Sequence, residues 1–545
     1  MSSSHNTIKI LVVDDEKLIR LTISAKLKVA GYTPVAVGSV DEAVSLLKSG
    51  TDDFCAVISD IMMGDMDGFV FRDIVRGIVP TMPFFFLTAL DPEEGSGFLR
   101  RIVEDPISYY LPKSVATDVL IKRVQRVVAS RHVAMFVERK MEEDRQSLEL
   151  AAQVQRSLLP IRAKATDLGF YTTFWCPSDI VSGDLYEAVP YGEAAGLYVL
   201  GDIQGHGTSA ALAMTAVQSF LKHFSDRRGN PALSPCGIAN QLQKFFRTSL
   251  ADISYMTALI CVHDVSRHEV TWISCGAGDL YVVGNGQSIN ANPEKRGNLP
   301  IGLVGDTVYS HADEVTTPLP PGFVAAAVTD GVLDISRDTD GNEQLTQERF
   351  QRLLTELAAD AITNAACIAI PHKVAAAFAS YGYDNFHDDV TMLLFGARNQ
   401  IPGIFDDVIP LTPEDVDAVA QKVAAWCDGH FLPGDLSARI QIVIAEKLMN
   451  IYDHGFDERD RQREAVGLRA KIVRDHVHLT VWDYGTPDPS IEVAAGDSST
   501  AFELVNREMK GCGRGRLMLR ELCSGVERNR YRELNETIYH IPIHL

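Results

Sequence analysis

The chain has no apolar run long enough to cross a bilayer. Its most apolar stretch, residues 78–90 (IVPTMPFFFLTAL), contains prolines and falls about seven residues short of a spanning helix. The N-terminus lacks the charged-then-apolar pattern of a secretion signal. Nine cysteines are scattered without a Cys-x-x-Cys pair, so their pattern indicates neither a disulfide framework nor a zinc site, and fits a reducing compartment. Positive charge is also scarce: 51 Lys and Arg stand against 72 Asp and Glu, a net charge of -21. Such a surface repels phosphate backbones and anionic lipid, and no basic recognition helix relieves it. The expectation is a cytoplasmic protein that binds neither nucleic acid nor membrane.

Length is what the chain does have. Its 545 residues, at roughly 150 per domain, predict three or four domains with separate cores. From 8 to 125, short β-branched runs (IKILVV, AVISD, PFFFLTA, ISYYL) alternate with helical patterns (LIRLTISAKLKVAG, VDEAVSLLKSG), as in a doubly wound parallel sheet. Between 115 and 159 there is no glycine, and Pro160 closes the stretch. Positions 120, 124, 127, 134, 141, 148, 152 and 159 recur at steps of three and four and are mostly apolar, with Arg131, Glu138, Arg145 and Gln155 interrupting. This predicts a long helix that is either a dimerising coiled linker or a helix packed on its own domain.

Residues 166–397 carry many short strand patterns (LYVLGDI, MTALICVHDV, EVTWISCGAG, FVAAAVTDG, VTMLLFG) separated by helices. A linker is expected around 398–410 (RNQIPG). Amphipathic helices follow at 413–428 and 435–453, then a hairpin with arms 467–473 and 476–482 meeting at Arg474-Asp475. The predicted domains are 1–130, a helical linker 131–165, 166–397 and 398–545, in an α/β multidomain chain.

Doubly wound sheets place their chemistry at the carboxyl ends of strands, where Asp14, Asp15, Asp60, Thr88 and Lys113 all fall. Taken singly, each Asp is an ordinary turn or cap residue. Converging carboxylates repel, so one must hold a proton or the group must bind a hard cation such as Mg²⁺. Through LVVDDE (11–16), SDIMMGDMDG (59–68), LTA (87–89) and YYLPKS (109–114), the first 125 residues resemble the receiver domain of two-component response regulators, a (βα)5 fold. The resemblance implies that Asp60 takes a phosphoryl group by in-line attack, with an upstream histidine kinase as partner. Asp14, Asp15 and Asp60 would hold Mg²⁺, Lys113 would neutralise the phosphoryl oxygens, and Thr88 and Tyr110 would report the phosphate. Ser114 replaces the family's usual proline, removing an expected cis bond, and Gly64 replaces another.

The middle region places SGDLYE (182–187), GDIQGHG (201–207), TDGVLD (329–334) and HDDVT (387–391) at predicted strand ends. Alone, each Gly-Asp is a turn signal. Repeated, such steps let sharp turns bring carbonyls and carboxylates to a cation, and two divalent ions about 4 Å apart can generate hydroxide and clamp a phosphoryl group. With AAQVQRSLLP (151–160) upstream, residues 150–397 look like the SpoIIE/RsbU branch of the metal-dependent Ser/Thr phosphatases (PPM family), an αββα sandwich. The resemblance implies two Mn²⁺ or Mg²⁺ ions held by Asp184, Asp202, the Ile203 carbonyl, Asp330 and Asp388, with Asp389 as the alternative should the last motif be offset by one. His206 would shape its loop, and Ser182 and Glu187 stand where the family usually has glycine and aspartate. The implied substrate is a phosphoserine or phosphothreonine on a STAS-domain anti-sigma factor antagonist, with activity gated by the preceding helix.

In the third region Glu446, Asn450 and His454 recur every four residues and share one helix face, as a solvated polar pair also would. VWDYGTPDP (481–489) follows with an Asp-x-Gly, and GCGRGRLML (511–519) is a glycine-rich turn opening a helix, a geometry suited to phosphate. In this order the elements resemble the GHKL ATPase fold over 405–545, an α/β sandwich, closest to serine kinases that act as anti-sigma factors. The resemblance implies ATP, with Glu446 as base toward a substrate serine, Asn450 on Mg²⁺, Asp483 on adenine, and Gly485, Gly513 and Gly515 in nucleotide loops. Thr486-Pro487 and Arg516 depart from the pattern. Together these readings predict a response regulator, homodimeric through its linker helix, that dephosphorylates and phosphorylates an antagonist under control of Asp60, with a sigma factor as a further admissible partner. The alternative keeps the phosphatase and makes the third domain a nucleotide-dependent docking module.

Overall fold

The computed structural model describes residues 8–49, 54–63, 66–88, 105–166, 169–191, 194–205, 207–222, 234–250, 255–294, 296–337, 344–359, 364–456, 464–486, 519 and 521–544. The chain divides into two compact units, Met1–Ser147 and Leu148–Leu545, each an α/β structure taken by itself below.

The first unit is built on five parallel strands in the spatial order Thr33–Val37, Lys9–Val13, Phe54–Asp60, Phe84–Thr88, Ser108–Pro112. Its central strands are apolar at nearly every position because both faces are covered. Odd and even residues part company there: Leu11, Val13, Val57, Phe84 and Phe86 pack with Phe69, Phe71 and Val75 on one side. Ile10, Val12, Ile58, Phe85 and Leu87 pack with Ile23, Leu27, Leu120, Val124 and Val128 on the other. Strand order alone therefore brings the Asp14-Asp15 loop beside the end of the Asp60 strand.

The long helix is Thr117–Leu158. Leu120, Val124 and Val128 are consumed by the first unit's core, and Ala152 and Gln155 are buried in the second unit. Between them Val133, Val137 and Met141 are 61%, 47% and 67% exposed. The helix thus packs on the domains at both its ends, and Val133, Val137 and Met141 between them are exposed.

In the second unit two antiparallel sheets face each other. The first has the order Asp184–Tyr191, Ala195–Ile203, Met256–Asp264, Glu269–Cys275, Val315–Pro318, and the second Gln287–Ile289, Tyr281–Gly284, Val324–Val328, Val390–Gly396, Phe170–Cys176, Ala163–Ala165. Their inner faces meet through Tyr198 stacked on Phe395, ring centres 4.0 Å apart. Helices Thr208–Lys222 and Pro235–Ser249 cover the first sheet, and Gln347–Leu357 and Ala369–Ser380 cover the second, which completes the αββα layering.

A third antiparallel sheet runs Ile404–Pro410, Ala465–Val473, His476–Asp483, Leu534–Pro542, Gly525–Tyr531. Helices Pro413–Gly429 and Gly434–His454 cover one face through Val419, Val423, Ile440, Val443 and Leu448 against Leu479, Val481 and Ile541. The Thr412 side chain accepts from Asp415 N and caps the first of these helices, with proline at its start. The expected linker at 398–410 is corrected here: Ile404–Pro410 is an edge strand paired with Ala465–Val473. Its β-branched and apolar residues find a sheet to complete, which the polar RNQIPG stretch before it concealed.

That sheet's other face is also covered. Val408, Ala465, Trp482, Tyr484 and Leu534 pack with Ala163, Ala365, Ile368 and Ala369. Ion pairs frame the patch: Lys373 Nζ lies 2.8 Å from Glu536 Oε1, and Arg162 reaches Glu533 and Glu464 while stacking over the Tyr484 ring. Because side chains alternate along a strand, Trp482 and Tyr484 serve this junction while Asp483 between them points toward the helical layer.

Candidate active and nucleotide sites

At the carboxyl edge of the parallel sheet, the carboxylates of Asp14, Asp15 and Asp60 lie within 4.8 Å of one another. Lys113 Nζ sits 2.7 Å from Asp60 Oδ2, 3.3 Å from Asp14 Oδ2 and 3.4 Å from Glu16 Oε1. Burial raises the Asp14 carboxyl above its usual range, against a hydrogen bond from Glu16 N and the Lys113 charge. Burial alone would lower Lys113, but its bonds and ion pairs to Asp60 and Asp14 outweigh it, and the ammonium is held well above its ordinary value. Thr88, buried at the end of its strand, accepts Lys113 N on its carbonyl at 2.7 Å. Tyr110 is half-buried, and its carbonyl accepts from Arg123 of the long helix at 3.0 Å. No cis peptide occurs among the described residues, in keeping with Ser114. Two contributors escaped the sequence reading: Arg20, whose guanidinium donates to the carbonyls of Asp14 and Asp15, and Glu16 on Lys113.

In the second unit Asp184 and Asp202 stand opposite each other in register on neighbouring antiparallel strands. Asp330 opens a short 3-10 turn after Val324–Val328, and Asp388 and Asp389 precede the partner strand Val390–Gly396. Two glycines allow the close approach. A Cβ on Gly183 would lie 2.8 Å from the Ile203 carbonyl, and one on Gly331 would lie 1.9 Å from that of Asp389. Asp184 Oδ2 accepts from the hydroxyls of Thr329 and Thr391, whereas its Oδ1 is buried with no partner among the described residues. Asp389 uses both oxygens: Oδ1 accepts from Ser178 N and Oγ, Oδ2 from Ser182 Oγ and Gly183 N at 2.7–3.0 Å. Asp388 Oδ1 accepts from Asp389 N at 2.8 Å.

Among the described residues this cluster is electrostatically uncompensated. Burial, then the negative charge of Asp202, pushes Asp184 far up. Burial and the neighbouring Asp330, Asp388 and Asp389 raise Asp202 to about 7. Burial and the surrounding carboxylates also raise Asp388. No basic side chain figures among the largest influences on these three. Carboxylates packed this way either share protons or bind cations, and the orphaned Asp184 Oδ1 fits a ligand for a hard divalent ion. Glu187, raised to about 7 by burial, accepts from Gln218 at 2.7 Å, which accounts for its side chain within the core. Gln155 of the long helix, which in sequence only interrupts the apolar seam, is buried and clamps this corner: its Nε2 donates to Ser182 O at 2.6 Å and its Oε1 accepts from Ser182 N at 3.1 Å.

On the helix Gly434–His454, Asn450 Nδ2 donates to Glu446 Oε1 at 3.1 Å, one turn apart as the spacing required. Asp483 is buried. Its Oδ1 accepts from Gly485 N at 3.0 Å and Asn535 Nδ2 at 2.8 Å, and Asn535 also donates to Gly485 O. Lys447 Nζ lies 3.1 Å from Asp483 Oδ2. The aspartate expected to receive an adenine amino group is therefore already paired with a cation that the sequence pattern did not flag. The expectations for Gly64, His206, Pro487, Gly513, Gly515 and Arg516 fall outside the described residues.

Residues 10–125 match the family model of the response regulator receiver domain, 194–398 that of Stage II sporulation protein E (SpoIIE), and 409–539 that of the histidine kinase-like ATPase domain. The chain therefore carries a receiver domain, a SpoIIE PP2C-type phosphatase domain and a histidine-kinase-like ATPase domain. It is similar to the phosphoserine phosphatase RsbU of Bacillus subtilis, 24% identical over 218 residues that make up 39% of this chain and 61% of the relative. It is also similar to the response regulator protein FleR of Pseudomonas aeruginosa, 33% identical over 162 residues, 27% of this chain and 31% of the relative. The chain thus spans under two thirds of either relative. Among solved structures, the SiaA-PP2C domain of Pseudomonas aeruginosa is 23% identical with a TM-score of 0.38, covering 47% of this chain and 98% of that one. The RsbU and RsbW domains of Rv1364c from Mycobacterium tuberculosis are 17% identical with a TM-score of 0.34, covering 70% and 96%. No helix among the described residues is long and apolar enough to cross a membrane.

Proposed function

We propose that this chain is a response regulator whose output is the phosphorylation state of a serine or threonine on a STAS-domain anti-sigma factor antagonist. Asp60 accepts a phosphoryl group from an upstream histidine kinase, beside Mg²⁺ held by Asp14, Asp15 and Asp60. The long helix carries that state to the phosphatase domain. There Asp184, Asp202, Asp330, Asp388 and the Ile203 carbonyl hold two Mn²⁺ or Mg²⁺ ions, which supply an activated water and a clamp for the phosphoryl group. Asp389, saturated by four donors, shapes the Ser182-Gly183 corner in this assignment, and Asp388 takes the ligand role. Gln155 links helix to corner, so a shift of the helix reaches the metal loop through two hydrogen bonds. The homodimer forms along the helix where Val133, Val137 and Met141 are exposed, and the protein acts in the cytoplasm.

The observation that carries the reading is the acid cluster around the buried Asp184, which has no basic partner among the described residues. Its test is release of phosphate from a phosphorylated STAS antagonist with Mn²⁺. Asp202→Asn abolishes release while leaving acyl-phosphate labelling of Asp60 intact; undiminished release by that variant would refute the metal assignment. In the ATPase domain Glu446 is the base and Asn450 the Mg²⁺ ligand for transfer from ATP to the same serine. The Lys447–Asp483 pair favours a second reading, a nucleotide-dependent docking module for the antagonist or a sigma factor. Labelled ATP with unphosphorylated antagonist and the Asp202→Asn chain separates them: label appears on the antagonist in the first and is absent in the second.

A further inference from the structure

The phosphatase domain brings together a second set of ligand-type side chains, none of them from the acid cluster. Cys236 lies in the first turn of helix Pro235–Ser249, and His311 and Glu314 lie on the short turn before strand Val315–Pro318. Cys236 Sγ is 3.7 Å from His311 Nδ1, and that nitrogen is 2.9 Å from Glu314 Oε2. All three donor atoms lie within 4.8 Å of one another. We propose that Cys236, His311 and Glu314 form a three-ligand site for a zinc-class divalent cation that staples the helix to the turn.

The geometry excludes the other chemistry such a trio suggests. A nucleophilic Cys-His-acid relay needs the two imidazole nitrogens on different partners, but here a single nitrogen, Nδ1, faces both thiol and carboxylate. Burial, with Glu314 nearby, also raises the Cys236 thiol, the reverse of an activated nucleophile. Convergence on one point is what a cation requires. With zinc bonds of about 2.3 Å to sulfur and about 2.0–2.2 Å to nitrogen and oxygen, tetrahedral donors stand roughly 3.3–3.6 Å apart, so small side-chain adjustments suffice. Thiolate, imidazole and carboxylate together suit zinc better than magnesium, calcium or manganese.

The donors are held in place by hydrogen bonds around them. Cys236 N donates to Glu314 Oε1 at 2.8 Å, turning Oε2 toward the imidazole. Ser310 and Asp313 close a capping box around the turn, and Arg296 donates to the carbonyls of Ala312 and Glu314 at 2.9 and 2.7 Å. Asn240, on the cysteine's helix, exchanges two hydrogen bonds with the backbone of Tyr309 at 2.8 and 2.9 Å. Helix and turn are thus registered before any ion arrives, the support that metal ligands need. The His311 side chain is 81% exposed, so a fourth position opens to water, with Ser234 Oγ 3.1 Å from the thiol.

Cobalt(II) titration of the full chain tests the site, because only a cysteine ligand gives a thiolate-to-cobalt charge-transfer band. The expected result is a band saturating at about one equivalent, abolished by zinc, insensitive to excess Mg²⁺, present in Asp202→Asn and absent in Cys236→Ser. His311→Ala, at an exposed position that leaves the fold intact, removes one of the three ligands and weakens cobalt binding by more than the about 100-fold upper range for residues that only support a ligand. Absence of the band in the parent chain, or its persistence at full intensity in Cys236→Ser, overturns the proposal.

Discussion

The receiver edge and the phosphatase cluster both gather several carboxylates, yet they solve the repulsion differently. In the receiver Lys113 sits between Asp14 and Asp60 at 3.3 and 2.7 Å, so part of the charge is balanced by the protein itself. In the phosphatase cluster no basic group among the described residues answers Asp184, Asp202 or Asp388, and burial with mutual repulsion drives all three upward. The first arrangement suits a site that gains and loses a phosphoryl group while keeping its shape. The second leaves its repulsion to be relieved by shared protons or a bound cation. The ATPase domain resembles the receiver in this respect, since Lys447 already answers Asp483.

Four experiments sharpen or break that contrast. The largest effect is expected from Asp202→Asn, whose loss of Mn²⁺-dependent phosphatase turnover exceeds the about 100-fold upper range for residues that only support a metal ligand. Asp389→Asn, which disturbs the Ser178, Ser182 and Gly183 bonds, is expected in the range of about 10- to 100-fold by the same assay; if the two variants fell equally far, Asp389 would be a ligand and the assignment of Asp388 would be wrong. Lys447→Ala removes the cation paired with Asp483. Calorimetry is expected to show ATP or ADP binding about tenfold tighter, equivalent to about 1.4 kcal/mol, whereas weaker binding would make Lys447 a nucleotide contact.

The smallest effect is a pH dependence. Asp202 is raised from 3.8 in the unfolded chain to about 7 in the fold, so between these values the folded state holds the proton more tightly. Its contribution to metal-free stability is therefore greatest at the acid end, declines as pH rises through this window and is lost above about pH 7. Measured as the difference in Tm between the parent chain and Asp202→Asn, the parent should lose a few degrees relative to the variant from pH 4 to pH 7. Saturating Mn²⁺ should reverse the ranking. A flat difference without metal would show that the cluster is not strained by its charge.

Much of the architecture was legible before any coordinates. The helices near 413–428 and 435–453 and the hairpin around Arg474-Asp475 appear as Pro413–Gly429, Gly434–His454 and Ala465–Val473 with His476–Asp483, Arg474 taking a positive φ of 56° at the turn. Periodicity and turn chemistry are local, so they survive without tertiary context. Ile404–Pro410 was missed because an edge strand is defined by its partner. Gln155 was read as a defect in a seam, since its two acceptor and donor partners on Ser182 lie 27 residues away. Lys447 carried no signal for the same reason: its place in the helix says nothing of Asp483.

The sequence by itself determined the class of chemistry: which carboxylates, glycines and helix faces recur, and hence three α/β modules built around acidic and nucleotide-type motifs. Only the tertiary structure decided how the charges are answered. Among the described residues it put a lysine on the receiver and ATPase aspartates and none on the phosphatase cluster, gave Asp388 and Asp389 different hydrogen bonds, and carried Cys236 to His311 and Glu314. Pattern along a chain reports composition and spacing, whereas Coulomb energy depends on distances in space, and those distances are set by strands and helices far apart in sequence.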